Sequence, residues 1–232
     1  MHLARRCERI APFHVMALLE RAQQLEASGR DLVHLEVGEP DFPTPEPVIR
    51  AGEQALARGA TRYTPATGLP ALREAIADHY QHFFGVSVSP EQVLVTPGAS
   101  GALQLALALS VDPGDGVLIT DPGYPCNRHF VELVGGAPWP LTLDPAAGLR
   151  ATAEAVEGAW KDGTVAAVLA SPDNPTGNVL TAAELQALSA AIGARGGNLI
   201  MDEIYQGLNH GEPPRSVLAH EPDALVINSF SK

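Results

Sequence analysis

Residues 164–202 read TVAAVLASPDNPTGNVLTAAELQALSAAIGARGGNLIMD. VAAVLA at 165–170 and NLIM at 198–201 are short continuous apolar runs, the pattern of strands covered on both faces. Between them residues 182–193 carry a helical pattern, and Thr181 and Glu184 have the spacing of a capping box at its start. A strand, a helix and a second strand of this kind imply a mostly parallel sheet with helices on both faces.

The same alternation extends outward in both directions. The spacing predicts helices over 69–83, 99–110, 125–134 and 151–159, and strands over 92–96, 117–120, 137–142 and 224–228. Near the start, Val15, Met16, Leu18, Leu19, Ala22 and Leu25 predict a helix over 13–27 that stops at Gly29. LVHLEVG at 32–38 reads as a strand, and the proline-rich EPDFPTPEP that follows can continue neither element. Thr44 as cap and Pro45 in the first turn predict a helix through Ala57. This divides the chain into an N-terminal arm, 1–43, and a main α/β domain of three αβα layers, 44–232.

With 232 residues, 45% of them hydrophobic and 18% charged, the chain has enough apolar content for a real core. A net charge of -12 argues against a general nucleic-acid or anionic-membrane surface, so neither partner is expected. The two cysteines, Cys7 and Cys126, suggest free thiols in a reducing cytoplasm rather than a disulfide framework. The N-terminus has no secretory apolar run, and no stretch approaches the roughly 20 apolar residues of a membrane span, so a soluble protein is expected. The eight histidines show none of the pairings of a zinc site, and no metal is expected.

In open parallel sheets ligands bind beyond the carboxyl ends of the strands. The loops there are TPGASGA, DPGYP, SPDNPTGN, DEIY and NSFSK, each with a polar or aromatic group where the fold needs only a turn. Gly98, Ala99, Ser100 and Gly101 lie between a strand and a helix, where free amides suit a phosphate; a tight turn explains small residues equally well. Asp202 ends an apolar strand and needs a hydrogen-bonding or cationic partner, which a strand-end cap or a nearby arginine would also supply.

SPDNPTGNV, DEIY and SFSK, in this order and with VTPGASGAL and DPGYP upstream, resemble the class I/II aminotransferases, the fold-type-I enzymes that use pyridoxal 5'-phosphate. VGEPDFPTP and RYTPATGLPALREAIA extend the similarity to about residue 32. The resemblance implies a three-layer large domain and a covalent imine link between Lys232 and the cofactor aldehyde. Lysine alone supplies a primary amine that can form an imine and, once displaced by substrate, serve as a base. A solvated tail is the alternative for a terminal lysine, and the upstream motifs outweigh it.

Carried over residue by residue, Asp202 would face the pyridine nitrogen and keep it protonated. Asn174 and Tyr205 would donate to the ring phenolate oxygen, and Tyr124 would stack on the ring, a buried core position being the alternative for both tyrosines. Ser229, Ser100 and the amide of Ala99 would hold the phosphate, with Ser231 beside them. Tyr63 resembles the tyrosine that reaches the phosphate of a neighbouring subunit, which implies a homodimer with shared active sites. Gly38 resembles the glycine whose backbone approaches the bound amino acid, as Asn174 would; a turn glycine is its alternative.

The implied reaction moves an amino group from an L-amino acid to a 2-oxo acid in a ping-pong cycle. Members of the family continue past this lysine into a further strand, between the first strand and the one before the lysine, and into a small domain with a carboxylate-binding arginine. The chain is therefore expected to lack part of the large domain and to belong to a longer protein. A β-lyase or synthase on the same scaffold and a non-catalytic cofactor-sensing module are the rivals. A nucleotide-binding Rossmann protein is disfavoured, because no G-x-G-x-x-G follows the first strand.

Overall fold

The structure is a computed structural model and describes residues 2–38, 42–211 and 213–232. Its centre is a five-stranded sheet built from β1 (Gly116–Asp121), β2 (Ala137–Thr142), β3 (Thr164–Ala170), β4 (Asn198–Asp202) and β5 (Leu225–Ile227). The order across the sheet is β2-β1-β3-β4-β5, and every pairing is parallel. Strand order reverses between β1 and β3, which opens a crevice at the carboxyl ends.

The described residues form seven α-helices, α1 (His14–Ala27), α2 (Glu46–Ala57), α3 (Pro70–His79), α4 (Gly98–Ser110), α5 (Cys126–Leu133), α6 (Ala153–Ala159) and α7 (Ala182–Gly193), of which α4 to α7 cover the sheet. Side chains alternate along each strand, so one chain segment feeds both covering layers. Val117, Ile119, Ala166, Val168 and Ile200 pack with Leu103 and Leu107 of α4 and Val131 of α5. Leu118, Ala167, Leu169, Leu199 and Met201 pack on the other face with Val156 of α6 and Leu185, Leu188 and Ile192 of α7. The expected three layers are present.

The capping box that starts α7 forms as its spacing predicts. Thr181 Oγ1 accepts from the Glu184 amide at 3.3 Å, and Glu184 Oε2 accepts from the Thr181 amide at 2.7 Å. β2 is an edge strand, and its two prolines, Pro138 and Pro140, remove amides that would otherwise invite pairing along that edge.

Three expectations need correction. Residues 32–38 form no strand: Val33 and Leu35 are 86% and 88% exposed, because no neighbouring strand accepts their alternating pattern. Residues 92–96 form no strand either; Pro90–Gln92 make a 3-10 turn and the Val95 amide donates to the Thr67 carbonyl at 3.0 Å rather than to a sheet. Thr44 caps nothing, since Pro45 takes the cap position and α2 begins at Glu46. The expected helix over 69–83 runs as α3 and then widens into a π-helical turn, Tyr80–Phe84.

Among the described residues no helix is long and apolar enough to cross a membrane.

Candidate active site

β4 delivers Asp202 to the end of the crevice. Its Oδ1 accepts from the Ile204 amide at 3.1 Å, which fixes the carboxyl against the turn that follows. Burial pushes this acid up to about 6, the Ile204 amide opposes the shift, and the Asp173 charge adds to it. None of the ion pairs among the described residues includes Asp202.

The turn after Asp202 carries Tyr205, whose hydroxyl accepts from Asn174 Nδ2 at 3.4 Å. Asn174 stands in the loop after β3, where Asp173 gathers the Thr176 amide at 3.2 Å and its hydroxyl at 2.6 Å. The Ser171–Pro172 and Asn174–Pro175 peptides in this loop are both cis. Gln206 then ties the two loops together, donating from Nε2 to the Ser171 carbonyl at 2.9 Å.

Lys232 closes the group. Its Nζ lies 5.8 Å from the centroid of the Tyr205 ring and donates to the Gly38 carbonyl at 3.3 Å. Segments far apart in sequence thus bring an amine, a phenol, an amide and a backbone carbonyl together.

Tyr124 follows β1, and its ring meets Phe13 edge to face at 6.0 Å. Burial raises its hydroxyl well above the usual range, with the Cys126 thiol and the nearby Tyr205 and Asp202 adding to the shift. Ser229 and Ser231 face one another, hydroxyl to hydroxyl at 2.7 Å, and the Ser231 amide donates to Ser229 Oγ at 3.1 Å. Ala99 and Ser100 occupy the first turn of α4, where amides have no intrahelical acceptor and no side chain caps them. Tyr63 stands apart: it is fully exposed and makes no hydrogen bond among the described residues.

The sequence alone assigns no site role to Phe13, Tyr80, Cys126, Glu203 or Asn228, which touch or support these groups. Glu203 left a signal, an acid in the apolar run NLIMDEI. Asn228 stands in the quoted NSFSK without a role, and Phe13 and Tyr80 gave no signal because their partners are distant in sequence.

The domain is a doubly wound α/β fold whose strand-end loops bring an amine beside a tyrosine, with a half-buried acid at the end of β4. The model for aminotransferase class I and II matches residues 30–232, and the chain belongs to that family. It is 35% identical to an aspartate aminotransferase of Geobacillus stearothermophilus over 100% of this chain and 60% of that protein. It is 37% identical to the aspartate/prephenate aminotransferase of Thermus thermophilus over 99% of this chain and 60% of that one. The structure of Thermus thermophilus aspartate aminotransferase with maleate superposes with a TM-score of 0.95 at 36% identity, covering 100% of this chain and 61% of that one. The chain thus spans about 60% of the length of these relatives.

Proposed function

We propose that the protein is a pyridoxal-phosphate-dependent aminotransferase that moves an amino group from an L-amino acid to a 2-oxo acid. The observation that carries this reading is the placement of Lys232 Nζ beside Tyr205, whose hydroxyl already accepts from Asn174. The family membership and the uniformly aminotransferase names of the relatives above support it.

The residues present fit pyridoxal phosphate. Asp202 is a half-buried acid in none of the ion pairs among the described residues, and a protonated pyridine nitrogen would be a suitable cation for it. When bound, the cofactor supplies an electron sink for the pair released at the substrate α-carbon. Asp202 would hold negative charge at the ring nitrogen and so keep that sink strong. Asn174 and Tyr205 would donate to the ring oxygen, and Tyr124 would cover the ring face. Lys232 Nζ would hold the cofactor and, once freed by substrate, would be the base for the α-proton. Ser229, Ser231, Ser100 and the Ala99 amide would receive the phosphate. Gly38 and Asn174 flank the substrate.

A second copy of the chain would bring its Tyr63 to the phosphate, which the full exposure of that side chain permits. Residues 1–43 would then serve as an arm on the 44–232 cofactor domain, and the free Cys7 and Cys126 suit the cytoplasm.

Incubation of the holoprotein with a panel of amino acids and 2-oxoglutarate tests the reading. Amino transfer without release of ammonia or pyruvate is expected, and Asp202→Ala should retain cofactor while losing nearly all turnover. Ammonia release, or a cofactor spectrum indifferent to every amino acid, would contradict it.

A further inference from the structure

β5 (Leu225–Ile227) pairs with β4 and leads into the segment that carries Lys232. A side-chain relay also ties that segment to the fold. The Asn228 side chain is used at both ends: Oδ1 accepts from the Ser229 amide at 2.7 Å, and Nδ2 donates to the Tyr80 hydroxyl at 3.3 Å. Ser229 Oγ in turn accepts from the Ser231 amide at 3.1 Å, next to Lys232.

The far end of this relay is anchored. Tyr80 is 6% exposed and opens the π-helical turn Tyr80–Phe84, in which its ring packs against Phe84 at 4.9 Å. Such turns are rare and gather at functional sites. Phe83 of the same turn lies against Gly207, two residues beyond Tyr205; a Cβ added there would meet its Cζ at 3.2 Å. One short turn therefore touches both the loop bearing Asp202 and Tyr205 and the segment bearing Lys232. Burial pushes the Tyr80 hydroxyl up to about 12, so it stays protonated and neutral across the working pH range.

We propose that Tyr80 and Asn228 are positioning residues that set the approach of Lys232 to the Asp202–Tyr205 loop through the Ser229 and Ser231 turn. The proposal rests on the reading of Lys232 as the cofactor lysine. It predicts that loosening the relay changes the environment of Nζ rather than the fold.

The test compares Tyr80→Phe, Asn228→Ala and Phe84→Leu in the holoprotein. The readouts are the midpoint of the pH-dependent absorbance of the Lys232-bound cofactor, kcat, KM and the melting temperature. Tyr80→Phe removes one hydroxyl and keeps the ring, so it should fold. For it and for Asn228→Ala the midpoint should move by about half a unit, and kcat should fall about tenfold with KM changed less than about twofold. Phe84→Leu should lower the melting temperature and leave the midpoint in place. An unmoved midpoint in both relay variants, or an equal shift in Phe84→Leu, overturns the proposal. A wild-type protein with no cofactor band attached to Lys232 would instead overturn the function on which it rests.

Discussion

Glu203 is 1% exposed and follows Asp202 directly, yet it belongs to the scaffold. Its amide donates to the Ile227 carbonyl at 2.8 Å, and its Oε1 accepts from the Val217 amide at 2.7 Å, so it ties the ends of β4 and β5 to the 3-10 turn at Val217–Ala219. Burial pushes it up to about 7 from 4.5, opposed by the Val217 amide and Ser216. An acid raised on folding favours the folded state while protonated. Its contribution is complete below about 4.5 and is lost as pH rises to about 7, on the order of 3 kcal/mol in all. Glu203→Gln keeps an acceptor for Val217 and removes the titration. Urea unfolding between pH 4.5 and 7 should show the wild type losing stability relative to this variant; parallel pH profiles would contradict the burial argument.

At the scale of elements, α7 owes its start to a device visible in the sequence, while its anchoring was not. Glu184 completes the capping box and also meets Arg150, at 2.7 Å to Nε and 2.6 Å to NH2, and that guanidinium holds the carboxyl down at about 2. Thr181→Ala should cost about 1 kcal/mol of unfolding free energy, read by chemical denaturation, because the Glu184 amide loses its acceptor. A loss near zero would show that Arg150 alone fixes the helix start. Arg150 lies 34 residues from Glu184, and a local pattern holds no trace of so distant a pairing. The missed strands teach the converse. LVHLEVG and QVLVT carry genuine strand patterns, but strand propensity is a statement about neighbours, and neither segment has one here. By contrast β1, β3 and β4 were legible because apolar runs buried on both faces need no particular neighbour to be read.

For the whole molecule, parallel pairing makes every strand end at one edge, so the loops bearing Tyr124, Asn174, Asp202 and Lys232 open on one crevice. Tyr124, Asn174, Asp202 and Lys232 were legible because each stands at or just after the end of a strand; the supports, Tyr80, Glu203 and Asn228, were not, since their meaning depends on packing across the fold. The central claim is a covalent one, and borohydride reduction of the holoprotein followed by peptide mapping tests it most directly. The account predicts that the reduced cofactor is found on the peptide bearing Lys232. Cofactor fixed to another lysine, or none fixed at all, would contradict it.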